Sequence, residues 1–325
     1  MPKTLSTKML TETVFKKLPS DENIASSFTK ACECLRMKQY EKHMQDTVIY
    51  EMTDGMRTST PHDGDVTYFD GGIFCLRFIN ILRALGMPAC YVNVIEEKHK
   101  HRVNYRHIFD GLRKLYSVFD EYAEEYNIRL RFLGNLDERL EPPGQSGDFA
   151  GDLRELEKNT KSNKTFCAYF LMNYSLDWAM KNESIFADVH NIDVTIRHTK
   201  LQFPTGMMLP PSKSDFTSLV YVQQGSASST WSDQQLVDLV ALALKSKILN
   251  VGTQYLKWYK VGERERVRFQ REEDLFFMHR RLFVDRLVSD ILYEKVDDKS
   301  IRMGYPPKIK RVILAGAAGP EIYEF

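Results

Sequence analysis

No stretch of this 325-residue chain is apolar for the roughly 20 residues that a membrane-spanning helix needs. Neither sign of charge dominates: 45 basic residues stand against 44 acidic ones. That balance excludes a nucleic-acid protein held by bulk charge, while local basic patches stay open. Cysteine is scarce, five in all. Cys32 and Cys34 form a lone C-x-C, and Cys75, Cys90 and Cys167 lie inside apolar runs. The paired spacings and histidine partners of a zinc site are missing, so these read as reduced, buried thiols. No apolar run of the signal-peptide kind stands at the N-terminus. The expectation is a cytoplasmic protein without a transmembrane segment, with peripheral membrane contact left open.

What is present is the texture of a large globule, with 43% apolar and 12% aromatic residues and length enough for a sizeable core. Residues 1–45 are polar with scattered apolar positions and are expected to form a helical extension. From residue 47 strands and helices alternate. Strands are expected at 89–95, 128–133, 165–172, 193–199 and 219–222. Helical spacing runs from Ile73 to Leu85 and stops at Gly86, and a long helix covers Tyr105 to Tyr126. The segment EPPGQSGDFAGD, 141–152, is a loop. Ser232 and Gln235 make a capping box that opens a helix through Ile248. Such alternation predicts an α/β fold, a mostly parallel central sheet flanked by helices. The expected divisions are 1–45, a main domain over 46–270, and a helical extension with a tail over 271–325.

The stretch TVIYEMTDGMRTST, 47–60, carries the first chemical signal. Thr47, Val48, Ile49, Tyr50 and Met52 favour a strand, which stops at the turn pair Asp54-Gly55, with Arg57 close behind. In parallel sheets ligands bind where strands end at the carboxyl edge. A carboxylate there can hold a divalent metal, a glycine lets a diphosphate approach the backbone, and an arginine can pair with it. A structural Asp-Gly turn is the commoner explanation of the same residues.

Order strengthens the signal. MTDGMR resembles the MDGNRRW segment of cis-prenyltransferases, the family of undecaprenyl and dehydrodolichyl diphosphate synthases. FDGGIFCLRFINILRALGM is similar to that family's GHxxGxxxLxxxLxxxxxLGI, and YVNVIEEKHKHR stands where it has YAFSxENWxR. RLRFLGNLDERLE resembles VRxRxIGDxxxLP, and NKTFCAYFLMNYSLDW resembles NTGLTLNIAxNYGGRxE. DVTIRHTKLQFPTG falls at DLxIRTGGExRLSN, and TWSDQ at WPDF. The resemblance covers about 47–270. It implies a cis-prenyltransferase-like fold, a dimer, and an apolar tunnel beside a diphosphate site.

Residue by residue, the resemblance makes Asp54 the catalytic aspartate and Mg2+ ligand. Gly55, Met56, Arg57, Gly72, Arg102 and Arg197 fall on the diphosphate-binding positions, Met56 replacing an asparagine. Phe69 stands where the family has a phosphate-binding histidine. His99 replaces a catalytic asparagine and is a candidate general base. Asn173 and Tyr174 match an architectural Asn-Tyr pair. The last motif is altered: its second arginine falls near Phe203, its serine near Thr205, and no clear metal-binding glutamate follows. Lys200 and His198 are candidates to restore positive charge. Phe69, Phe74, Phe78, Met56, Met207 and Met208 are candidates for a cation-bearing pocket, against the plainer explanation of core packing.

Losing a bidentate arginine and a metal ligand weakens isopentenyl diphosphate binding, while the allylic site is less damaged. The expectation is an Mg2+-dependent enzyme that ionises a farnesyl-type allylic diphosphate in terpene-synthase-like chemistry. Two alternatives stand beside it. One is ordinary condensation with isopentenyl diphosphate. The other is a non-catalytic partner subunit, although such subunits characteristically lose the aspartate that Asp54 keeps.

Overall fold

The computed structural model describes residues 7–35, 37–52, 65–198, 218–222 and 231–248, and the short segments 295–296, 299–300, 311–316 and 319–324. Three helices come first, α1 (Thr7–Phe15), α2 (Asp21–Cys34) and α3 (Glu41–Met44). Then follow β1 (Val48–Met52), α4 (Asp65–Ala84), β2 (Ala89–Glu96), a 3-10 turn (Glu97–His101), α5 (Tyr105–Glu125) and β3 (Ile128–Leu133). The second half holds α6 (Phe149–Asn159), β4 (Phe166–Tyr174), α7 (Leu176–Lys181), a 3-10 turn (Glu183–Phe186), β5 (Val194–His198), β6 (Ser218–Val222) and α8 (Asp233–Ile248). Two-residue strands β7 (Lys295–Val296) and β8 (Lys299–Ser300) pair with each other, and β9 (Arg311–Gly316) and β10 (Gly319–Glu324) follow.

The main sheet has eight strands in the order β10-β9-β6-β5-β1-β2-β4-β3. All neighbours pair in parallel except β9 and β10, which form an antiparallel hairpin. The expected α/β architecture with a mostly parallel sheet is therefore present. The end of the chain differs from its expectation. Residues 311–324, read as a tail beyond the domain, add two strands to the edge of this sheet. The helical stretches expected before them lie outside the described residues.

Alternation along each strand sends every second residue to one face. On the first face Ile49, Val92, Leu130 and Phe170 pack against α4, α5 and α8 in one large core. Helix α5 contributes Tyr105, Ile108, Phe109, Leu112, Leu115, Phe119 and Tyr122, the three- and four-residue spacing of an apolar stripe. The N-terminal helices join this core through Val14, Ile24, Phe28 and Leu35. On the second face Tyr50, Tyr91, Tyr169 and Leu171 meet Ala179, Phe186, Val189 and Ile192. Tyr91 and Tyr169 stack with ring centroids 4.4 Å apart, and their hydroxyls reach the carbonyl and Nδ1 of His190.

Gly134 ends β3 where only glycine fits. Its φ is +150°, and a Cβ there would lie 1.7 Å from the Met172 carbonyl oxygen. Helix α8 opens as its sequence predicts. Ser232 N–H donates to Gln235 Oε1 at 2.9 Å, and Gln235 N–H donates to Ser232 Oγ at 3.2 Å.

Candidate active site

The sheet has a switch point at β1. From β1 the chain moves through α4 to β2 on one side, while β5, paired to the other side of β1, leads on to β6. Crevices at the carboxyl end of such a pair are where open α/β sheets bind ligands. In register, Met52 at the end of β1 lies beside Arg197 near the end of β5. Asp54, Gly55, Met56 and Arg57 follow Met52 directly in the sequence. They lie outside the described residues, as do Lys200, Met207 and Met208. Arg197 is thus brought to the end of the strand that leads into the Asp-Gly pair.

At the end of β2 the basic run folds into the 3-10 turn. The Glu96 side chain caps the backbone of His99, and the Glu96 N–H donates to His99 Nδ1 at 3.2 Å. Lys98 pairs with Glu96, whose side chain is almost wholly buried. This cap bears on the role expected for His99. Because Nδ1 accepts a hydrogen bond, the neutral ring carries its proton on Nε2. In this arrangement His99 presents an N–H donor at its outer nitrogen. A base at Nε2 would require the proton on Nδ1, where the Glu96 N–H points.

Arg102 is half-buried and closes the same turn. Its N–H donates to the His99 carbonyl at 3.0 Å, and its carbonyl accepts the Tyr105 N–H at 3.0 Å. Lys100 reaches across to Glu138 at 2.9 Å, in the loop after β3. That hydrogen bond and charge hold the Glu138 carboxyl below the usual glutamate range.

Asn173, the penultimate residue of β4, has φ at +50°, a left-handed conformation that asparagine tolerates better than most residues. Its Nδ2 donates to the Asn135 carbonyl at 2.7 Å. Its Oδ1 is buried and has no hydrogen-bond partner among the described residues. An oxygen so placed is ready to accept from a water or a hydroxyl group. Tyr174 is buried beside Trp178 and Phe186. Asn173 and Tyr174 therefore tie strand and loop ends together.

Other expected site residues have plain packing roles in view. At Gly72 a Cβ would come within 2.5 Å of Leu115 Cδ2, so the glycine lets α4 and α5 approach closely. Phe74 and Phe78 are 1% and 0% exposed and belong to the large core, with Phe69 partly buried against it.

Sequence reasoning passed over Glu51. It was hidden among β-favouring neighbours, yet it is a wholly buried acid on the helix-bearing face of β1. An acid at a core-facing position of an apolar strand was the signal that marked it.

Among the described residues no group of three or more His, Cys, Asp and Glu side chains forms a metal cage. Mg2+ does not need one. It is held by one or two carboxylates where phosphate oxygens and water complete the octahedron, so a single aspartate after β1 fits that ion. No helix among the described residues is long and apolar enough to cross a membrane.

No protein-family model matches the sequence, and no curated protein matches it. Among solved structures, the chain is similar to a probable undecaprenyl diphosphate synthase from Campylobacter jejuni. That likeness has 10% identity and a TM-score of 0.44, covering 61% of this chain and 94% of the other. It is also similar to lavandulyl diphosphate synthase from Lavandula x intermedia, solved with dimethylallyl diphosphate. There the identity is 11% and the TM-score 0.46, with 62% of this chain and 96% of the other covered. At such scores the likenesses carry no argument about chemistry, and the functional reading rests on this chain's own residues.

Proposed function

We propose that this chain is an Mg2+-dependent enzyme that ionises an allylic prenyl diphosphate and releases diphosphate. One observation carries the reading. Segments chosen from sequence alone stand at the carboxyl ends of adjacent parallel strands. The Asp54 segment follows β1, the basic run KHKHR (98–102) follows β2, Asn173 is the penultimate residue of β4, and Arg197 stands in β5 beside Met52. That is the edge at which such sheets bind phosphorylated ligands.

Asp54 would hold the metal, which neutralises charge growing on the departing diphosphate. Gly55 and Met56 offer backbone, and Arg57, Arg102, Arg197 and Lys200 offer cationic donors to phosphate oxygens. His99, with its proton on Nε2, serves in this reading as a further donor to that anion. The leaving group takes both electrons of the C–O bond, and the carbocation is quenched by its own double bonds, by water or by proton loss.

The test is incubation with Mg2+ and geranyl, farnesyl or geranylgeranyl diphosphate, with and without isopentenyl diphosphate. Diphosphate release is measured and the products are identified. Release without isopentenyl diphosphate, lost in Asp54→Ala, is the expected result. A longer product that requires isopentenyl diphosphate replaces this reading with condensation. Silence with every substrate until a sister subunit is added makes the chain a partner subunit. Retention of full release in Asp54→Ala overturns the site.

A further inference from the structure

An asparagine just before a helix ordinarily turns its side-chain oxygen onto the N–H groups of the first turn. Asn104, the residue before α5, makes no such cap. Its Nδ2 donates instead to the hydroxyl oxygen of Tyr68, the fourth residue of α4. Helix α4 follows β1 and α5 follows the turn after β2, so both begin beyond the carboxyl ends of parallel strands. The bond between Tyr68 and Asn104 therefore lies at the edge where the sheet would take a ligand.

Two groups there still have hydrogens to give. The Tyr68 oxygen accepts the Asn104 N–H, while its own O–H has no acceptor among the described residues. A phenol hydroxyl can do both at once. Tyr68 is half-buried, packed against the rim of the large core and open on its other side. Arg102 stands two residues before Asn104 and is also half-buried. The cations around it each face a carboxylate: Lys98 faces Glu96, Lys100 faces Glu138, and Arg106 faces Asp110. The Arg102 guanidinium faces none among the described residues. A guanidinium without a counter-charge beside a hydroxyl with an uncommitted hydrogen suits the oxygens of a phosphate group.

We propose that Tyr68 is a phosphate-binding residue that acts together with Arg102, and that Asn104 positions it. The ligand's identity as the diphosphate of an allylic substrate rests on the reading above; the three side chains do not depend on it. Tyr68 O–H donates to a phosphate oxygen, and Arg102 supplies charge and further N–H donors. Asn104 gives up its helix cap to fix the Tyr68 oxygen, which leaves the hydroxyl hydrogen for the anion.

The test is calorimetric titration of the full chain with inorganic pyrophosphate, with and without Mg2+, which needs no turnover. Tyr68→Phe removes one hydroxyl and keeps the ring. It is expected to weaken pyrophosphate binding about tenfold without lowering the melting temperature. Arg102→Gln is expected to weaken binding at least as much. Asn104→Ser separates positioning from support. Serine caps α5 but is too short to hold Tyr68, so affinity should fall while the melting temperature holds or rises. Should Tyr68→Phe fail to fold, Asn104→Ser carries the test. Equal affinity in wild type and the folded variant overturns the proposal, as does a wild type that binds no pyrophosphate. Binding that depends on Tyr68, with no diphosphate released from any allylic substrate, upholds the phosphate site and removes the allylic-diphosphate reading instead.

Discussion

Asn173 and Asn135 grip each other across the ends of neighbouring parallel strands. The Asn173 side chain donates to the Asn135 carbonyl at 2.7 Å, and the Asn135 N–H donates to the Asn173 carbonyl at 3.2 Å. Asn173→Ala removes the side-chain bond and puts a residue less tolerant of positive φ in its place. The expected loss is about 1–3 kcal/mol of unfolding free energy, measured by urea titration. Asn173→Gly relieves the backbone and loses only the side-chain contacts, so it should fall between alanine and wild type.

At Gly134 the substitution Gly134→Ala is expected to be among the most damaging single changes in the chain. The new Cβ would collide with the Met172 carbonyl, and φ at +150° is foreign to an L side chain. A loss above about 3 kcal/mol is expected, seen in the denaturation midpoint. A near-neutral result would mean that the ends of β3 and β4 part without cost.

Phe78 separates a packing role from a pocket role. It is 0% exposed within the large core. Phe78→Ala is expected to cost about 3–5 kcal/mol in stability. If Phe78 lined an open pocket instead, the same change would leave the melting temperature nearly intact and raise KM for a prenyl substrate.

Two acids should tilt stability with pH in opposite directions. Lys100 holds the Glu138 carboxyl below its ordinary value. Its contribution is present above the unfolded-state pKa and is lost as pH falls through the lower folded value. The Glu138 side chain is about half exposed, so about 0–1 kcal/mol is at stake. Asp193 is pushed up by burial, against the Val48 N–H bond and Lys247. Its native form keeps the proton to higher pH than the unfolded chain does. That contribution is therefore full below the unfolded-state pKa and is lost as pH rises through the folded one. Melting curves through the carboxylate range should show Lys100→Met flattening the acid-side loss. Asp193→Asn should remove the loss on the rising side.

Much of the scaffold was legible because local signals agreed. Gly86 stops α4 with φ at +73°, Ser232 and Gln235 cap α8, and strands from β2 to β6 lie within two residues of their expected bounds. Where local and tertiary signals disagreed, the reading fell short. Helix α4 begins at Asp65, eight residues before Ile73, because the apolar spacing that marks the helix opens only at Ile73. The close approach of Leu115 explains what Gly72 does there. The end of the chain read as a tail because short edge strands leave little periodicity. Within the candidate site, strand ends carried the legible information. The cap that sets the proton on His99 depends on side-chain geometry, which spacing does not record.

The pairing of β1 with β5 also has a temporal meaning. The Val48 N–H that opens β1 is bonded to Asp193 at 2.8 Å, across 145 residues of chain. Contacts of such separation must wait for the intervening polypeptide to order itself, and they slow folding. The pairing of β1 with β5, which sets Met52 beside Arg197, is thus expected to form late in folding. A ribosome-bound fragment ending before β5 would hold β1 with one of its two edges still unpaired.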